Sequence, residues 1–201
     1  MTYLIIGFLL ITGLVIYLIS YKSKSNNVTQ TQQLTSDTIQ RQKVDPKNNP
    51  YKDLRNLALS ATMEQIGVSF HTNQTKIYGV IMDWDLGEGT ATLISFLSGD
   101  ASLYLSSGGG MIGGSGHQNI KNAAIAFIDE AGSFLDKTSK TDTTPLPNKN
   151  CIKFYFLTNN GIFVGQEQMI NIENRSSKWL DLFEEGNRVI SEIRIVTNDK
   201  L

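Results

Sequence analysis

Cysteine is nearly missing from this 201-residue chain, and Cys151 is its only representative. A single thiol excludes an internal disulfide framework and any multi-cysteine metal site, and it leaves no sign of an oxidising compartment. Its simplest role is that of a small core residue. A dominant charge is missing as well: 18 basic and 19 acidic side chains leave a net of -1. Residues 1–50 hold five of the basic and two of the acidic side chains, so the remainder carries 13 against 17. A binder that tracks nucleic-acid phosphates takes much of its affinity from clustered Lys and Arg, so nucleic acid is not an expected partner.

Met1 to Tyr21 contain no charged side chain at all, and residues 3–19 are almost uninterrupted Leu, Ile, Val, Phe and Tyr. As a helix rising about 1.5 Å per residue, this run matches a hydrocarbon core roughly 30 Å thick. It predicts a single transmembrane anchor over 1–21. A cleaved signal peptide would want a basic residue before the run and a small-x-small site after it, and neither is present. Lys22 and Lys24 follow the run, which places the C-terminal side in the cytoplasm of a cell membrane by the positive-inside rule. Residues 22–50, dominated by Ser, Thr, Asn, Gln and Lys, have no apolar periodicity and read as a flexible polar linker spanning about 30 Å.

What is abundant comes later. Seven of the 17 glycines fall between Gly99 and Gly116, where two strand-like runs lead into the most periodic helix of the chain. Residues 51–201 read as one α+β domain. Pro50 opens a helix to about Ile66, with Leu54, Leu57, Ala58 and Ala61 on one face and Gly67 as cap. Three strands follow at 76–85, 90–97 and 101–107 as an antiparallel meander. A helix capped by Ser115 and Gln118 then runs to about Lys137, its stripe being Ile120, Ala124, Phe127, Ile128, Ala131 and Leu135. After a loop over 138–150, strands at 151–158 and 162–167 flank Asn160 and Gly161. A last helix begins near Ser176 or Ser177 and buries Trp179, Leu182, Phe183, Val189 or Ile190, and Ile193. The stretch 189–196 also alternates and fits a final strand. The expected fold is therefore a transmembrane helix followed by a mainly antiparallel five-stranded sheet packed by about three helices.

This order of elements resembles that of the roadblock, longin and profilin type of small α/β sandwich. The stretches YGVIMDWD, ATLISFLSGDASLYLSSGGGMIGG and FYFLTNNG are similar to uncharacterised bacterial proteins. The resemblance implies a dimerising platform for regulators at membranes; fold alone carries no function across.

Chemistry has one obvious place to sit. Gly108, Gly110 and Gly113 match GxGxxG between a strand and a helix, where free N–H groups and a helix N-terminus favour an anion. The candidate ligand site is Ser106, Ser107, Gly108, Gly109 and Gly110 together with Gly113, Gly114, Ser115, Gly116 and His117. Against a nucleotide stand the antiparallel strands, the missing acidic residue on a later strand and the missing GK[ST]. The structural alternative is a connection that crosses closely over the sheet. A serine hydrolase would use Ser115 or Ser107 with His117 and an approach by Asp83 or Asp85, yet GGSGH departs from the GxSxG elbow. Asp83, Asp85 and Glu88 lack the oxygen density of a calcium loop, and Asp83 and Asp85 read as an exposed strand end beside a buried Trp84. His71 lies in a polar approach. No catalytic set, metal or cofactor is expected. The leading expectation is a membrane-tethered interaction or regulatory domain with a protein partner or homodimer. The alternative is a sensor of a phosphate-bearing ligand at 106–117.

Overall fold

The computed structural model describes residues 49–198. The expected membrane anchor and all of the linker but its last two residues lie outside that range. Among the described residues no helix is long and apolar enough to cross a membrane.

The first helix, α1 (Tyr51–Leu59), starts where the Leu54 N–H donates to the Pro50 carbonyl at 2.9 Å. It ends seven residues earlier than its pattern suggests. Thr62 and Gln65 bond reciprocally to each other's backbone N–H groups, which opens a separate turn that closes at Gly67. The buried face is also rotated from the expected one: Tyr51, Arg55 and Ala58 point inward, and Leu57 is 66% exposed.

The strands are β1 (Ile77–Asp85), β2 (Thr90–Phe96), β3 (Ala101–Leu105), β4 (Gly110–Met111), β5 (Ser139–Thr141), β6 (Cys151–Thr158) and β7 (Gly161–Gln168). They form one antiparallel sheet in the order β4-β3-β2-β1-β6-β7-β5. The expected five strands are thus seven. The two additions are edge pairings of two and three residues, too short for any alternation to register in sequence. Among the described residues the α-helices are four rather than about three: α1, α2 (Gln118–Ala131), the short α3 (Met169–Glu173) and α4 (Leu180–Asn198). Residues 189–196 belong to α4, whose inward Val189, Ile190 and Ile193 keep helical spacing.

Both faces of the sheet are covered, so β1 and β2 are buried almost throughout. On one face α1 packs on Ile81, Ile94, Tyr104, Tyr155 and Leu157. On the other, α2 and α4 press an aromatic layer onto the sheet. Trp179 stacks between Phe134 and Phe154 at 5.4 Å, and Phe183 meets Trp84 edge-on. Gly165 makes the stacking possible, because a Cβ there would lie 2.0 Å from the Trp179 ring. The α2 stripe is as expected except that the chain tightens into a 3₁₀ turn at Gly132–Lys137, which buries Phe134 in place of Leu135.

Candidate functional site

The glycine-rich connection is a hairpin spent on its own backbone. Ser106 and Ser107 start the turn from β3 to β4. The Ser106 hydroxyl accepts from the Thr90 N–H at 2.8 Å, and its carbonyl accepts from Asn49. Gly108 donates to the Leu105 carbonyl, and the Gly109 carbonyl receives the Leu105 N–H. Gly110, at φ 139°, comes so close to β3 that a Cβ would lie 2.0 Å from the Leu103 carbonyl oxygen. Gly113 donates to the Ser102 hydroxyl, and Gly114 is buried against Ile120 and Met111. Ser115 does not cap α2 with its side chain; its N–H donates instead to the Asp100 carboxylate at 3.2 Å. A carboxylate therefore occupies the Ser115 amide just ahead of the helix. Gly116 faces open space, and the His117 N–H closes on the Gly114 carbonyl. Among the described residues no hydrogen bond joins His117 to Ser115 or Ser107, and no group of three metal-ligating side chains forms.

The aspartates on β1 differ from expectation. Asp83 is wholly buried, not exposed, while Asp85 accepts from the Asn150 N–H at 2.7 Å. Glu88 and His71 are exposed. Asp83 pairs with Arg55 of α1 through Nε at 3.0 Å and Nη2 at 2.5 Å, and it also accepts from Thr92, which shares a hydrogen bond with the Tyr51 hydroxyl. Burial pulls the guanidinium pKa down, but the Asp83 hydrogen bond and charge outweigh it and hold Arg55 above its ordinary value. The guanidinium also lies 5.6 Å from the Tyr155 ring centroid, and burial pushes that phenol up to about 12, with the Asp83 charge adding to the effect. Every member of this cluster is satisfied, so it works as a lock rather than as an open site. Its signal in sequence was Arg55 standing between Tyr51 and Ala58 at helical spacing.

The lock reaches a second place. Arg55 Nη2 donates to the Thr144 carbonyl at 2.9 Å, and the next carbonyl, of Pro145, accepts from the Tyr155 hydroxyl and from Lys153 Nζ. The 142–150 loop is thereby fastened beside a groove of about 400 Å³ at the β7 edge, where β5 covers only Ile162–Val164. Lys153 and Gln166 oppose each other in register on its floor. Ser139, Thr141 and Thr143 form one wall, and Lys137 and Lys178 the other lining cations. Three lysines and no acidic residue line the groove, and none of the three is in an ion pair among the described residues. Glu167, the adjacent carboxylate, is spent on Asn171 and Ser177. Burial would raise its pKa, but these hydrogen bonds, the Gln168 N–H and the nearby Lys178 charge keep it below the usual range.

No family model matches the chain, and neither a curated protein nor a solved structure matches it. The groove escapes a sequence reading because its members span 137–179, on β5, β6, β7, the 142–150 loop, the 3₁₀ turn before β5 and the segment ahead of α4, with no shared spacing.

Proposed function

We propose that the chain is a non-catalytic binding and regulatory domain, tethered to a cell membrane by the apolar run of residues 3–19, with the lysine groove as its recognition site. The observation that carries this reading is a concave opening lined by one sign of charge, on a domain whose buried Arg55–Asp83 cluster is closed on itself. The tether supports a regulatory role, since it would hold the domain near a membrane.

The test is amide chemical-shift mapping of the full chain in detergent micelles. Phosphorylated metabolites, neutral sugars and short peptides are added as separate classes. Shifts confined to 139–143, 164–167 and Lys178 support the reading. Silence toward every class, or shifts confined to 106–117, overturns it, and the latter result would restore the glycine connection as the site.

A further inference from the structure

The donor inventory of the groove specifies more than a charge. Lys137 and Lys153 each spend hydrogen bonds on backbone carbonyls, of Ser133 and of Pro145 and Leu146, yet an ammonium has three donors and both retain capacity. Lys178 is exposed and makes no hydrogen bond through its ammonium among the described residues, and the hydroxyls of Ser139 and Thr143 are likewise uncommitted. The Thr141 hydroxyl is used within its own loop. A surface so rich in donors is complemented by an acceptor-only group carrying several negative charges.

We infer that the groove binds a phosphate-bearing small molecule, an inference that rests on the groove being the recognition site. Lysines act as point charges suited to a tetrahedral polyanion, and the groove lacks the arginine fork that reads a planar carboxylate bidentately. Its volume lies at the small end of the roughly 300–1,000 Å³ common for small-molecule sites. Tyr155 and Trp179 line it but are 1% and 2% exposed, so they offer no free ring on which a nucleobase could stack. The phosphate end, rather than an aromatic end, would supply the affinity.

The experiment titrates the full chain in micelles with inorganic pyrophosphate, read by calorimetry and by amide shifts at 139–143 and 164–167. Binding should weaken as NaCl is raised. Lys178→Gln and Lys153→Gln should each raise the dissociation constant by about tenfold, the cost of one charge-assisted hydrogen bond, while Lys178→Arg should stay near the parent. Lys178 is exposed, so its variants also serve as the check against misfolding. Unchanged pyrophosphate affinity in both glutamine variants overturns the inference. So does a response to vesicles of anionic phospholipid without one to pyrophosphate. Groove shifts with neutral sugars or peptides but none with pyrophosphate would overturn the ligand class while leaving the proposed function standing; silence toward every class removes both.

Discussion

The glycine connection at 106–117 and the lysine groove at 137–179 teach opposite lessons about where a site can hide. The first concentrates small residues and a helix N-terminus in twelve consecutive positions, and its backbone donors at Gly108, Gly113, Ser115 and His117 are all consumed within the fold. The second has no motif, yet it assembles three cations, none of them in a salt bridge among the described residues. Local density of a residue type reports what the backbone must do there. Convergence of charge from distant segments reports what the surface can bind.

The comparison breaks most sharply at the buried lock that holds the groove's loop. Asp83→Ala would leave Arg55 buried without its counter-charge, and urea unfolding should show a loss of about 3–5 kcal/mol. The amide shifts of Thr143, Thr144 and Leu146 should move with it, because Arg55 also holds the Thr144 carbonyl. Arg55→Met combined with Asp83→Leu should cost much less than the single change, since removing both partners leaves no orphan charge. A double variant as unstable as Asp83→Ala would mean that the cluster matters by shape and not by charge.

Next in size is Gly110→Val. Collision with the Leu103 carbonyl and the strained φ should cost about 3 kcal/mol, measured by the same unfolding assay. Pyrophosphate affinity per folded molecule should be unchanged. A loss of binding beyond the loss of folded protein would transfer the site to the glycine connection.

The smallest effect is alkaline. Burial raises the hydroxyl pKa values of Tyr51, Tyr78, Tyr104 and Tyr155 above their ordinary 10.0, Tyr155 to about 12. The unfolded chain therefore releases these protons first. The tyrosine contribution to stability is intact below pH 10 and falls as pH rises from 10 toward 12. Tyrosinate absorbance followed beside unfolding midpoints should show the fall, and Tyr155→Phe should flatten it more than Tyr104→Phe. Equal flattening would mean that burial weighs equally on Tyr104 in β3 and Tyr155 in β6, on the same face of the sheet.

Much of the scaffold was legible because periodicity is local. The meander from Ile77 to Leu105, the Asn160 hairpin and the inward residues of α2 and α4 follow from spacings of two and 3.6. The Thr62 turn hid the end of α1, and edge pairing created β4 and β5 where composition showed only glycine or loop. Asp83 misled for a plain reason: a carboxylate near a strand end reads as exposed until the guanidinium that pays for its burial is known to come from a helix 28 positions earlier.

The sequence by itself determined the long strands of the sheet, its main helices and most of the side chains they bury, because those choices depend on neighbours a few residues apart. The tertiary structure alone decided that Arg55 meets Asp83, that the amides of Gly108, Gly113, Ser115 and His117 are spent within the fold, and that Lys137, Lys153 and Lys178 share a groove. Each of these depends on distances between residues far apart in the chain, and no local pattern encodes them.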